Sequence, residues 1–216
     1  MIAWVVDHAR AARSVDQVAV VTDHEGIADA AERAGARALV SAEPAPSGSD
    51  RIAQLLAADP VAARAEIVLN LQGDEPLLEP AAIDLAVALL RERPEADVGT
   101  LARPRREDED PDDPMLVKVA LAADGRALWF SRAPIPHGAS HLVHLGLYAY
   151  RRQVFDRFVA APPTPLEHAE RLEQLRALEL GLVIACALFD SQAIAVDRSE
   201  DIARVEAALA ARQVGR

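Results

Sequence analysis

"AEIVLNLQGDEPLLEPAAIDLAVALLRER", residues 65–93, decides how the rest of the chain is read. Its opening, "AEIVLNLQ", is an apolar, β-branched run that reads as a buried strand, expected to sit mid-sheet. The run stops at Gly73, Asp74, Glu75 and Pro76, and "EPAAIDLAVALLRER" then carries helical periodicity. A strand followed at once by a helix is the building unit of an open α/β sheet, where ligands gather at the carboxyl ends of the strands. Asp74 and Glu75 stand at such an end.

The same alternation recurs on the N-terminal side. "VDQVAVVTD" (15–23) reads as a strand, "HEGIADAAERAGA" (24–36) as a helix with a glycine stop, and "RALVSAE" as the next strand. "SGSDRIAQLLAAD" follows as a helix entered through a serine cap. "MIAWVVDHAR" reads as a helix too, because acid appears by Asp7 and no basic flank or cleavage site marks a signal. Towards the C-terminus the pattern changes. "VKVALAADGRALWFSR" has two alternating runs about Asp124-Gly125, a hairpin signature, and "SHLVHLGLYAYR" alternates strictly. The fold class expected is α/β: a doubly wound, mostly parallel sheet with an antiparallel extension.

Composition bounds the function. A chain of 216 residues that is 51% apolar suits one core, and a single domain over 1–216 is expected. The net charge of -11 argues against a nucleic-acid surface, and no stretch is long and charge-free enough to span a bilayer. The single cysteine, Cys186, lies in the apolar run "LVIACALF" and reads as a buried hydrophobe in a reducing cytoplasm. The acid-rich "EDEDPDDP" (107–114) reads as a solvated, flexible loop.

Several residues are placed for chemistry, each with a plainer reading beside it. Asp74 and Glu75 suit a hard cation at a strand end or, equally, the entrance of the following helix. Asp197 ends "AIAVD" ahead of another helix and leaves the same two readings open. "SGSDR" (47–51) puts small residues and hydroxyls at a helix start, as a plain cap or as backbone N–H groups facing a base or anion. In "HLGLYAYR" the period of two sends His144, Gly146, Tyr148 and Tyr150 to one face, the wall of a cavity or a half-exposed sheet face. "LEHAERLEQLRALELG" reads as one helix stopped by Gly181, with Glu167–Arg171 and Glu173–Arg176 pairs and with Glu173 and Gln174 on its surface. There is no G-x-G-x-x-G and no Walker loop.

Taken in order, "VVTDHE", "SGSDR", "NLQGDEP", "VKVAL", "ALWFSRAPIP", "HLGLYAYR", "PLEHAERLEQLRALELG" and "AIAVDRSEDI" resemble the 3-deoxy-manno-octulosonate cytidylyltransferase (CMP-Kdo synthetase) family. The resemblance implies a sheet of nucleotide-diphospho-sugar transferase type, a homodimer, and a reaction in which CTP and the acidic sugar Kdo give CMP-Kdo and pyrophosphate for lipopolysaccharide biosynthesis. It also implies Mg2+ held by Asp74 and Asp197, which with Arg132 form the catalytic set. Ser47, Gly48, Ser49 and Arg51, together with Gln72 and Gly73, match the CTP side. Arg132, His144, Tyr148, Glu173 and Gln174 match the wall of the sugar-acid site.

Three departures accompany it. Family members open with a phosphate-binding strand and loop of the form I-P-A-R-x-x-S-x-R-L-P-G-K-P-L, and this chain reads as beginning just after it. A start upstream of Met1 is therefore expected, and weak CTP binding by the chain as written. The stretch between Pro136 and His144 is short for the family's dimer arm, and "DPMLVKV" has Met115 in place of an asparagine, which keeps Lys118 out of the expected site. The alternatives are a cytidylyltransferase for another sugar acid and a non-catalytic degenerate homologue.

Overall fold

The computed structural model describes residues 1–41, 43–191, 196 and 199–214. In chain order the elements begin with α1 (Ile2–Ala11), β1 (Ala19–Thr22), α2 (Glu25–Arg33), β2 (Arg37–Val40), α3 (Gly48–Ala58), β3 (Ile67–Leu71) and α4 (Pro80–Glu92). They continue with β4 (Val98–Pro104), β5 (Lys118–Leu121), β6 (Ala127–Ser131), β7 (Leu142–Arg151), α5 (Arg152–Ala160), α6 (Pro165–Glu170), α7 (Gln174–Glu179), β8 (Ile184–Leu188) and α8 (Ser199–Val214). They form two compact units, one of residues 1–44, 71–84 and 191–216, the other of 45–70 and 85–190. No helix among the described residues is long and apolar enough to cross a membrane.

In the first unit β1 and β2 pair in parallel, from Ala19 opposite Arg37 to Thr22 opposite Val40, with α2 as the crossover. His24 caps α2 by accepting from the Gly26 N–H. Gly35 ends it at φ +86°, a conformation costly for any residue with a Cβ, as the sequence's glycine stop requires. Val6 of α1 packs with Ala31 and Ala36 into a small core.

The second unit is built on a mixed sheet of order β6-β5-β7-β4-β8, with β3 also on β7. The β4–β8 pair is parallel, and β4–β7, β5–β7 and the β5–β6 hairpin are antiparallel. Phe130, Tyr150, Phe155, Phe158, Leu175 and Ile184 fill its core. On β4, Gly99 lies so close to the Ala86 carbonyl of α4 that a Cβ would collide with backbone, which fixes how near that helix packs. Cys186 is buried, and burial pushes its thiol up to about 12, so it is the inert hydrophobe expected.

Three expectations change. Among the described residues β3 pairs only with β7, and it is not the evenly buried apolar run expected: its burial alternates, and the inward Asn70 is polar. The 165–181 segment is two helices, because Arg171 turns left-handed (φ 56°, ψ 49°) after α6. Glu167 therefore pairs with buried Arg176 instead of Arg171, and Gln174 is buried at 4% exposure. The acid-rich loop is tied down at Glu109, which accepts from the Arg103 guanidinium and the Arg106 N–H, and Arg105 donates to the Glu109 carbonyl. The arginines hold Glu109, while Glu107, Asp108, Asp110 and Asp112 are exposed, as expected of a solvated run.

Candidate active site

β7 carries the densest set of sequence-predicted residues. Its register against β4 jumps from Tyr148 opposite Thr100 to Leu145 opposite Leu101, so Gly146 and Leu147 bulge out of the ladder. The bulge turns the Leu147 carbonyl to the Thr100 side chain, whose hydroxyl donates to it at 2.7 Å, and the same Oγ1 lies 2.8 Å from His144 Nε2. His144 and Tyr148 share a face with ring centroids 5.1 Å apart, and Tyr148 continues to Tyr150 at 5.9 Å. That face is not half-exposed: Tyr150 is packed by Phe155 and Phe158, and Tyr148 is 8% exposed. Burial pushes His144 down to about 3, so its ring is neutral at physiological pH. Burial, reinforced by Tyr150 and Glu173, raises the Tyr148 phenol well above its ordinary value. The wall is thus a neutral imidazole and a neutral phenol.

Ser49 and Glu173, which the sequence places on opposite substrates, are bonded to each other. The Ser49 hydroxyl donates to Glu173 Oε2 at 2.6 Å, and Asn70 Nδ2 donates to Ser49 Oγ at 3.2 Å. Ser49 and Asn70 are buried, so the carboxylate is anchored from inside the unit. Ser47 caps α3, accepting from the Asp50 N–H and donating to its carboxylate, with Gly48 and Arg51 in the first turn. Gln174 is buried beside Glu173 at the start of α7.

Arg132 is held by backbone. Its guanidinium donates to the carbonyls of Pro114, Glu170 and Arg171, while its own N–H meets the Glu170 carboxylate, which also accepts from Ser131. Lys118, fully buried, donates to the carbonyls of Asp113 and Arg132. Burial lowers its pKa against the pull of Asp113, Asp112 and Asp110. Lys118 and Arg132 together fasten the 113–114 turn to the end of β6 and to the α6–α7 break.

Gln72, Gly73 and Asp74 belong to the first unit. They form the turn after β3, with the Glu75 N–H bonded to the Gln72 carbonyl. Gly73 is exposed and Asp74 half-buried. Burial raises the Asp74 pKa, opposed only by a hydrogen bond from its own backbone N–H. The carboxylate has no basic partner among the described residues, which suits a hard cation. Asp197 lies outside the described residues. Val196 donates its N–H to the Asp74 carbonyl at 2.9 Å. Glu75 is buried at the entrance to the next helix.

Sequence reasoning missed Thr100, Asn70 and Glu170. The first two are inward positions of strands, and nothing local marks them; Glu170 was hidden by the unbroken-helix reading. A polar residue at an otherwise apolar strand position, as at Asn70 in "IVLNL", is the signal that was there.

Fold and side chains together describe an α/β enzyme whose donor and acceptor set suits a hydroxyl-rich ligand. Residues 1–185 match the family model of the cytidylyltransferases, and the chain belongs to that family. It is 47% identical, over 98% of its length and 86% of the relative's, to a 3-deoxy-manno-octulosonate cytidylyltransferase of Anaeromyxobacter sp. (strain Fw109-5). A solved CMP:2-keto-3-deoxy-manno-octonic acid synthetase in complex with CTP aligns with a TM-score of 0.88 and 32% identity, covering 98% of this chain and 88% of that one. The 4-diphosphocytidyl-2C-methyl-D-erythritol synthase of Anaerococcus prevotii, at 14% identity and a TM-score of 0.62 over 96% of this chain and 88% of its own, shares the fold.

Proposed function

We propose that this protein joins CTP and 3-deoxy-manno-octulosonate (Kdo) to give CMP-Kdo and pyrophosphate, supplying lipopolysaccharide biosynthesis in the cytoplasm, as a homodimer. The observation that carries the reading is 47% identity extending over 98% of the chain to a relative named for that reaction. Ser47, Gly48, Ser49, Arg51, Gln72 and Gly73 are assigned to CTP. Small residues and free N–H groups at a helix start can meet a base edge or phosphate without steric conflict. His144, Tyr148, Glu173 and Gln174 are assigned to the hydroxyls of the sugar acid, and the remaining guanidinium donors of Arg132 to its carboxylate.

The anomeric hydroxyl of Kdo attacks the α-phosphate in line with departing pyrophosphate, so catalysis rests on positioning and charge compensation. Asp74 and Asp197 are assigned as holders of Mg2+, which when bound supplies a lowered hydroxyl pKa and offsets phosphate charge. The raised pKa of Asp74 favours this assignment, since a cation relieves a carboxylate that burial strains. Glu173, anchored by Ser49, orients the sugar, while the neutral His144 and Tyr148 supply directional hydrogen bonds without adding charge. Pyrophosphate release measured with CTP, Mg2+ and Kdo tests the proposal. Release with Kdo and none with an acylneuraminate is expected, and the reverse pattern overturns it.

A further inference from the structure

The Thr100 hydroxyl has a single proton, and the structure shows where it goes. Thr100 Oγ1 lies 2.7 Å from the Leu147 carbonyl oxygen, which can only accept. Two oxygens at that distance need a proton between them, so Thr100 is the donor to Leu147. Toward His144, 2.8 Å away, the same oxygen is left only lone pairs. The imidazole must therefore donate, which puts its proton on Nε2 and leaves Nδ1 as a bare acceptor. Thr100 is 0% exposed, so water cannot rearrange this order. The order is set by the fold: the bulge at Gly146 and Leu147 supplies the carbonyl that consumes the threonine proton.

His144 Nδ1 makes no hydrogen bond with any described residue. The residue as a whole is only partly buried. The Tyr148 hydroxyl, on the same face, likewise makes no hydrogen bond with any described residue. Phe130, edge-on to the His144 ring at 5.1 Å, and Tyr148 on its other side leave the imidazole little freedom to flip.

We propose that Thr100 is a positioning residue which fixes His144 as the Nε2–H tautomer, making Nδ1 an acceptor for a hydroxyl of the sugar acid. This rests on the sugar-acid reading above. A neutral acceptor beside a neutral phenol donor recognises one hydroxyl by direction as well as by polarity, and it discriminates against a ligand carrying hydrogen or a methyl group there.

Nitrogen-15 NMR of the histidine-labelled protein reads the tautomer directly, because a bare and a protonated ring nitrogen resonate far apart. In the native protein His144 should show Nε2 protonated and Nδ1 bare. Thr100→Val keeps the shape and removes the hydroxyl. It should let the Nδ1–H form appear and raise KM for Kdo about tenfold with KM for CTP unchanged. Thr100→Ser should restore both readouts, which a purely structural role for the residue would not predict. The proposal is overturned if native His144 carries its proton on Nδ1, or if Thr100→Val moves neither the spectrum nor KM for Kdo. If the spectra come out as expected while the native protein does not turn over Kdo, the substrate reading fails and the tautomer assignment stands.

Discussion

The ring face of β7 and the Gly73–Asp74 turn are both candidate ligand surfaces, and they are built in opposite ways. On the ring face three polar side chains are already engaged by a buried neighbour: His144 by Thr100, Glu173 by Ser49, and Ser49 by Asn70. In the turn, Asp74 holds a half-buried carboxylate whose pKa is raised by burial and whose helper is its own N–H. One surface is organised during folding and needs no adjustment to receive hydroxyls. The other keeps electrostatic strain that a cation can release. The difference teaches that the ring face is specified by hydrogen bonds within the protein, while the turn carries a carboxylate that burial disfavours in its charged form.

Breaking the strained side should have the largest effect on activity. Asp74→Asn should lower turnover on the order of 10³-fold, as expected for losing a group that stabilises transition-state charge. Its thermal midpoint should equal or exceed the native one. The sign follows from the raised pKa: the folded state binds the proton more tightly, so Asp74 costs stability as pH rises above its ordinary value of 3.8. A calorimetric scan at neutral pH that showed the variant much less stable would remove the contrast between the two surfaces.

The scaffold under the ring face offers the next effect. Burial raises the pKa of Glu167, yet the two hydrogen bonds and charge of Arg176 outweigh it and hold the carboxyl below its usual range. Arg176 also lies 4.9 Å above the Phe158 ring. Arg176→Met strands the buried carboxylate and should cost about 3–5 kcal/mol in denaturant unfolding, most of which Glu167→Leu in the same chain should return.

Ser49→Ala loses one anchored hydrogen bond, worth about 1 kcal/mol, and should raise KM several-fold. If Ser49 acts through Glu173, the rise appears for Kdo; if it acts on the nucleotide, it appears for CTP. Ser49→Thr should be near-native either way.

The effect least tied to turnover is on pH dependence. With His144 held down to about 3 in the fold against an ordinary 6.5, the unfolded chain binds more protons between these values. Stability should thus be fully present above pH 6.5 and fall as the pH drops, by at most about 1.4 kcal/mol per pH unit. His144→Gln, which keeps a donor for Thr100, should flatten the slope between pH 6.5 and 5 in midpoint measurements.

Much of this was legible in the chain itself. Gly35, Ser47 and Asp124-Gly125 announce their stop, cap and turn, since each answers to backbone geometry within a few residues. The alternation of β7 correctly set His144 and Tyr148 on one face. The break at Arg171 was not legible, because helical spacing continues through it. What ends α6 is the pull of distant groups, with Glu170 held by Ser131 and Arg132.

The sequence by itself determined the alternation of strands and helices, the caps, and the family, because these depend on local periodicity and on ordered motifs. Only the tertiary structure decided that Ser49 serves Glu173, that Arg132 is spent largely on carbonyls, and that a bulge dictates the protonation of His144. Hydrogen bonds between residues as far apart in the chain as Ser49 and Glu173 exist only once the fold brings their elements together, and no local pattern encodes them.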